Sequence, residues 1–529
     1  MASIDQQSSP TDTGSTKDAK KHFARNTGAS ILFFVFNILT SLYFVKFQLH
    51  YLHQDGYGIV STANAFVTYL QALTFALLGT TFRFVTINLA RGDREEAEEY
   101  AGTHLAVLVY SIAVLLPICA VVSYFTPTLL RKIPASQIAN TRILFLLVYV
   151  SFMMLLGATP YQLATYLKQR FDIRNLLDMV NQVFRYSTWV VLFAIAVPRL
   201  WYIGVGYVIG STVALVATVV AARRLAPDFR PSIRRFNRRK LFEMMRMGKW
   251  VGLDYLGVML YWSTDIVIIA CMLGPASAGR YAVVWYFAAM LRNVVGMMGT
   301  VIAPTTVAAY ARQDWDTMRI NMARAIKFMS LGLALMLGVL CGLNLPFLTW
   351  WLRGTDIPAS ALPMLSLLMW LMIAHLVVNS ALEPINALTL AANKVAVPCI
   401  ATIISAVLKI ALSIILIKST DLGMVAVAIA GLVTFLLRQL VFGPIYAGRI
   451  VSAPSWPIYR ALLPGTVVFA LVSVPAWWLA RNFDLATLPG LVGVGIALFA
   501  LGAVVTYFAA LNDRDRQFLA EVAPWKKQA

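Results

Sequence analysis

The stretch RRLAPDFRPSIRRFNRRKLFEMMRMGK, Arg223–Lys249, carries ten Lys and Arg against two acids. It is the only long polar interruption between residues 27 and 510. Six long apolar segments precede it, six follow, and two more come after those. A run of about 20 apolar residues crosses a ~30 Å hydrocarbon core as a helix. In lipid a helix also satisfies its own backbone groups, which an open strand does not. The chain therefore reads as all-α, a polytopic membrane protein with about 14 transmembrane helices.

Composition agrees. Of 529 residues, 59% are hydrophobic and 13% charged, with a mean hydropathy of +0.72. A soluble chain carries about a quarter charged residues. The net charge of +20 would suggest nucleic acid in a soluble protein. Here most of the Lys and Arg flank apolar segments, and the positive-inside rule accounts for them with no nucleic acid partner. Cys119, Cys271, Cys341 and Cys399 lie in apolar segments without metal-ligand spacing and read as buried hydrophobes. No metal or cofactor is implied.

Residues 1–25 are polar and read as a disordered tail. Lys20, Lys21 and Arg25 precede the first apolar segment, 29–50, and place the N-terminus in the cytoplasm. With loops alternating from there, thirty of the 44 Lys and Arg fall on the cytoplasmic side and eight at outer edges. The even helix count returns the C-terminus to the cytoplasm. The expected organisation is a cytoplasmic tail (1–25), a six-helix N-lobe (26–222), a basic cytoplasmic linker (223–247), a six-helix C-lobe (248–448), two extra C-terminal helices (449–511) and a tail (512–529). Within the basic stretch, Ile233, Phe236, Leu241, Phe242 and Met245 form either an interfacial amphipathic stripe or part of a solvated linker.

The two lobes echo one another at a constant offset of 224 residues. Tyr57 falls on Tyr281, Thr81 on Thr305, Pro160 on Pro384, Thr165 on Thr389, Arg170 on Lys394 and Arg185 on Lys409. Six helices per lobe make the repeats parallel, related by an axis along the membrane normal. Pseudo-symmetric lobes of this kind place a substrate cavity between them and alternate access by rocking.

The motifs carry a resemblance. LHQDGYGIV (52–60) and its echo DIVIIACMLGPASAGRYAVVWYF (265–287), followed by VIAPTTVAAYARQD (301–314), resemble the multidrug/oligosaccharidyl-lipid/polysaccharide (MOP) exporter superfamily. TYLKQRFDIRNLLDMVNQVFR (165–185) is similar to the fourth-to-fifth helix turn of its polysaccharide-transporter branch, which includes O-antigen-type oligosaccharide flippases. LTLAANKVAVPCIATIISAVLKIALSIILI (388–417) repeats that turn. One departure is Leu52-His53, where the family more usually has Leu-Gly. The resemblance covers residues 25–450. It implies a bacterial inner-membrane flippase that moves a polyprenyl-pyrophosphate-linked oligosaccharide to the outer leaflet. The oligosaccharide would feed lipopolysaccharide, capsule or exopolysaccharide synthesis and meet polysaccharide polymerase or glycosyltransferase machinery.

Such a substrate needs cations inside the membrane, where each ionisable residue costs about 2.5–3.5 kcal/mol to insert. Six basic residues fall within the apolar segments: Lys46, Arg83, Arg185, Arg292, Lys409 and Arg438. Arg185 and Lys409 hold equivalent central places in the two lobes and are expected to grip the pyrophosphate from both sides; the alternative is an ion pair with Glu383 or Asp265. Arg292 and Arg83 are further candidates for the cavity and the inner gate. Asp254, Asp265 and Glu383 are the acids available for ion coupling or ion pairing. Pro160 and Pro384 are expected to kink symmetric helices. Tyr261 and Trp285 are candidates for sugar stacking.

Two other functions compete. A cation-coupled multidrug antiporter of the same superfamily would use the three acids, but bases outnumber them six to three, which favours an anionic lipid. A lipid II flippase is supported by fourteen helices and the intramembrane bases, but of the bases only Lys46, near the outer edge, lies in the first helix. An enzyme is not expected, because the outer loops are short and lack His/Glu/Arg clustering. No GxxxxGK[ST] pattern is present, so ATP hydrolysis through a P-loop is not expected either.

Overall fold

The computed structural model describes residues 13–130, 133–227, 229, 231–292, 312–513 and 515–517. The chain is helical throughout these residues, with short connections. In order the helices are α1 (Thr13–Ala90), α2 (Arg94–Leu129), α3 (Ile138–Leu167), α4 (Phe171–Ile195), α5 (Trp201–Leu225) and α6 (Arg238–Met272). A helix described over 275–292 is α7. Then come α8 (Trp315–Gly342), α9 (Asn344–Trp351), α10 (Leu362–Ile373), α11 (Leu376–Asn379), α12 (Glu383–Ala391) and α13 (Ala396–Ser419). Last are α14 (Met424–Leu436), α15 (Gly443–Ile450), α16 (Trp456–Asn482) and α17 (Leu488–Val505). The stretch 13–25, expected as a coil tail, is helical, while residues 1–12 lie outside the described residues.

Eleven helical spans among the described residues are long and apolar enough to cross a membrane. Three differences separate that figure from fourteen. The first two expected segments run together in α1. The α4 helix is present but carries Asp172, Arg174, Asp178 and Arg185 and is not among the eleven. The expected segment 279–310 is described only to residue 292, so Thr305 and the motif 301–311 lie outside the described residues.

The chain divides into two compact units. The first comprises Met1–Phe47, Leu73–Leu129 and Ile133–Gly252, in which α3 packs against α2 and α5, and α4 against α5. The second comprises Gln48–Ala72, Leu130–Lys132 and Leu253–Ala529, in which α8 lies along α16 and α13 along α14. The chain changes unit early, inside α1.

A break accompanies that change. His53 sits at φ 57°, ψ 177°, a region that glycine enters freely and other residues enter at about 1–3 kcal/mol. This is the position where the resembling family more usually has glycine. Beyond it the backbone of α1 meets α7 at close range. A Cβ on Gly58 would stand 1.9 Å from the Pro275 carbonyl oxygen, and one on Gly279 would stand 2.0 Å from that of Gln54. Only glycine permits this approach. Gln54 also receives a bond from Arg280 Nε at 2.6 Å and gives its backbone N–H to Asp356 at 2.8 Å. Gly58→Ala is expected to lower the melting temperature of the detergent-purified protein by several degrees, since overpacking costs about 1–3 kcal/mol; an unchanged melt would show that the two helices separate freely.

The 224-residue echo has a backbone counterpart. At the end of α3, Gln169 takes φ 53° and Arg170 N–H donates to the Thr165 carbonyl at 2.8 Å. At the end of α12, Asn393 takes φ 54° and Lys394 N–H donates to the Thr389 carbonyl at 2.9 Å. A left-handed residue closing a helix in this way is a known C-terminal stop. The following helices, α4 and α13, end on extended residues with the same angles, φ −137° and ψ 159°, at Ala196 and Thr420. Arg185 and Lys409 therefore occupy corresponding turns of corresponding helices.

The basic stretch is largely structured. Arg223 and Arg224 end α5, a short 3-10 turn covers Ile233–Arg235, and α6 begins at Arg238. Its charges are partly spent on the acidic start of α2: Arg235 pairs with Glu98 at 3.0 Å, Lys240 pairs with Glu96, and Tyr100 donates to Glu243 at 2.6 Å. That phenol, foremost, holds the Glu243 carboxyl below its ordinary range. Met244 is fully buried against Val85, Ala97, Tyr100, Ala101 and Leu163.

Candidate functional site

In the first unit the site is built on α4. Arg185 is half-buried and lies over the rings of Tyr186 at 4.6 Å, Tyr207 at 5.1 Å and Trp189 at 5.6 Å. Its Nη2 donates to the Tyr186 hydroxyl at 3.0 Å. The collar is held independently of the arginine. Trp189 Nε1 donates to the Ile203 carbonyl at 3.0 Å, and Tyr186 stacks on Phe44 at a centroid distance of 3.9 Å. A Cβ on Gly206 would overlap the Trp189 ring, so the small residue lets α5 close on α4. Cation–π contact orients a guanidinium without cancelling its charge. Arg83, also in this unit, is exposed and has no ion pair among the described residues.

In the second unit Lys409 is only 3% exposed and forms an ion pair of 2.7 Å with Asp265, itself 5% exposed. The other Asp265 oxygen accepts from the Tyr281 hydroxyl at 2.7 Å. Lys409 Nζ also donates to the Tyr261 carbonyl. Of the two readings of Lys409, the geometry supplies the ion pair, and with Asp265 rather than Glu383. Arg292 lies 3.7 Å from the Trp262 ring centroid and 5.7 Å from that of Trp285, without an ion pair among the described residues. His375 stands buried against Trp262 and Phe435, with ring centroids 6.2 and 4.9 Å away.

The remaining acids form a separate group. Arg438 sits in a π-turn, Leu437–Phe442, and its Nη2 donates to Thr402 Oγ1 at 2.8 Å. Thr402 donates in turn to Asp254 at 3.1 Å. Glu383 accepts from Asn386 Nδ2 at 2.8 Å and lies within electrostatic reach of Arg438 and Asp254. The three acids are thus divided, with Asp265 on Lys409 and Asp254 and Glu383 near Arg438.

The aromatic candidates are already engaged. Tyr261 is 4% exposed and donates to the Gly431 carbonyl at 2.5 Å. Trp285 Nε1 donates to the Trp262 carbonyl at 2.9 Å. As placed, both polar groups serve the unit's own packing. Sequence reasoning passed over His375 and Thr402. Tyr281 was noticed only as half of a repeat; its spacing of 16 residues from Asp265 gives no helical signal, because a turn intervenes.

The two prolines behave differently. Proline removes a donor, so the carbonyl four residues earlier loses its helix bond. In α3 the carbonyl left by Pro160 is that of Leu156, which accepts from the Thr159 hydroxyl at 2.8 Å, and the helix runs on unbroken. Around Pro384 the carbonyl is that of Ser380. It accepts instead from the Glu383 N–H in a 3-10 turn, and the expected segment 361–391 is broken into α10, α11 and α12. The symmetric pair of kinks is therefore an asymmetric pair: one helix patched by a side chain, one jointed.

A family model described as polysaccharide biosynthesis protein matches residues 23–309. The uncharacterized membrane protein EpsK of Bacillus subtilis (strain 168) is 25% identical over 502 residues, covering 94% of this chain and 97% of its own. The lipid II flippase MurJ, in an inward closed conformation, aligns with a TM-score of 0.64 at 13% identity, covering 91% of this chain and 98% of its own. An inward-facing multidrug resistance MATE family transporter of the MOP superfamily aligns at 0.58 with 14% identity, covering 78% and 95%. At such identities the two solved structures speak for the fold alone, a multi-pass all-α fold.

Proposed function

Because this chain belongs to the polysaccharide biosynthesis protein family, we propose that it is a flippase for a polyprenyl-pyrophosphate-linked oligosaccharide. It acts in the bacterial cytoplasmic membrane, with both termini in the cytoplasm, and carries the lipid from the cytoplasmic to the outer leaflet by alternating access. Polymerase or glycosyltransferase machinery then uses the glycan for a surface polymer such as lipopolysaccharide, capsule or exopolysaccharide. The protein has no catalytic step of its own.

The observation that supports this reading is the placing of Arg185 of α4 and Arg292 of α7 over aromatic rings. A guanidinium presents a planar fork that matches phosphate oxygens. Arg185 is the residue assigned to the pyrophosphate. Lys409 is committed to Asp265 and supports the second unit from within.

The test is the lipid-linked oligosaccharide content of cells lacking the gene, resolved by leaflet. Accumulation on the cytoplasmic side, relieved by the wild-type gene, is the expected result. Accumulation of lipid II instead would move the assignment to the peptidoglycan precursor. Unchanged glycolipids with altered drug sensitivity would replace the flippase by an antiporter.

A further inference from the structure

A groove of about 460 Å³ opens on the first unit, lined by Thr74 of α1, by Val107, Tyr110, Ser111 and Leu115 of α2 and by Phe236 and Leu241 of the basic stretch. From Val107 to Leu115 it follows α2 for about 12 Å at 1.5 Å per residue. Its wall is largely apolar and includes Val114; Tyr110 and Val114 are 64% and 59% exposed. One end is fixed to the basic stretch, since Asn237 N–H donates to Thr103 Oγ1 at 3.0 Å, about one helical turn before Val107.

The charges at that end are not all neutralised. Glu96, Glu98 and Glu99 engage Lys240, Arg235 and Asn237. Arg234 and Arg238 are exposed and form no ion pair among the described residues. Beside them Ile233, Phe236, Phe242 and Met245 are 44%, 43%, 70% and 56% exposed. Arginines carried next to exposed aromatic and aliphatic side chains, at the mouth of an apolar channel, match a molecule with an anionic head and a hydrocarbon tail.

We propose that this groove, with Arg234 and Arg238, binds an anionic phospholipid of the surrounding bilayer. The phosphate of its headgroup rests on the two guanidinium groups, and one acyl chain lies along α2 between Val107 and Leu115. This lipid is a resident partner of the first unit, distinct from the transported glycolipid. The exposed stripe of the basic stretch is then the interfacial surface that flanks the headgroup.

Native mass spectrometry of the full chain, released from detergent after addition of phosphatidylglycerol or phosphatidylcholine with identical chains, tests this. The wild type is expected to retain phosphatidylglycerol roughly thirtyfold better, because each of the two basic groups near an anionic headgroup contributes about 1 kcal/mol. Arg234→Ala with Arg238→Ala is expected to bring the two lipids to parity. Ser111→Trp, which fills the groove, is expected to reduce retention of phosphatidylglycerol while both arginines remain. Val114→Trp replaces it if Ser111→Trp loses its monodisperse elution. Equal retention by the wild type, or an unchanged preference in the double variant or the groove variant, would overturn the proposal. Displacement of phosphatidylglycerol by an equimolar polyprenyl phosphate would also overturn it, by giving the groove to the substrate.

Discussion

Asp265→Ala is expected to destabilise the protein by about 3 kcal/mol or more, the cost of leaving one partner of a buried ion pair without the other. Lys409 is 3% exposed and has no water to turn to once the carboxylate 2.7 Å away is gone. The Tyr281 hydroxyl loses its acceptor in the same step. Adding Lys409→Met to Asp265→Ala is expected to recover most of the loss, because well-packed apolar groups often replace a buried pair at no cost. Melting temperatures of the four proteins in one detergent form the cycle. Additive single effects would mean that the pair carries no coupling. The double variant also separates two roles for Lys409. If it folds and transports, the pair is structural; if it folds and fails, Lys409, Asp265 or both take part in transport as well.

Arg185→Ala is expected to reduce glycolipid transport by about two orders of magnitude while leaving the fold in place. A bidentate contact to phosphate comprises two charge-assisted hydrogen bonds of about 1.5–3 kcal/mol each. Their loss is large on that scale even if water replaces part of the contact. Arg185→Lys keeps the charge but not the fork or the stacking, and an intermediate loss of about tenfold is expected. The fold survives because Tyr186, Trp189 and Tyr207 are held by Phe44, Ile203 and one another. The check is clearance of accumulated glycolipid from cells lacking the gene, at matched protein levels. Clearance by Arg185→Ala at the wild-type rate would remove this residue from the phosphate site.

The all-α membrane fold was legible because apolar length alone reports it. The repeat was legible at Thr165 and Thr389 and at Arg170 and Lys394, and the backbone repeats there too: the turns at Gln169 and Asn393 close alike, and α4 and α13 end alike. Partner choice was only half legible. Asp265 stood among the acids weighed for Lys409, but which carboxylate a buried ammonium meets depends on packing between elements far apart in sequence. The breaking of 361–391 was half legible: Pro384 marked one joint, while the joint between α10 and α11 carries no proline or glycine to mark it. The contrast between Pro160 and Pro384 turns on a single hydroxyl, that of Thr159, which no periodicity reveals. The allegiance of Gln48–Ala72 to the second unit was hidden too, since helical spacing describes a face and not the neighbour that covers it.

That allegiance has a consequence for how the protein is made. Gln54 and Tyr69 leave the ribosome long before their partners: Arg280 comes 226 residues after Gln54, Asp356 comes 302 after it, and Thr264 comes 195 after Tyr69. At a synthesis rate of about 5–20 residues per second, the wait is on the order of ten to sixty seconds. During that interval the glycine face around Gly58 has no backbone to close on. The insertion machinery, the bilayer or a chaperone must shelter it until translation has passed the middle of the chain. A nascent chain arrested before α7 emerges would be left with that face open.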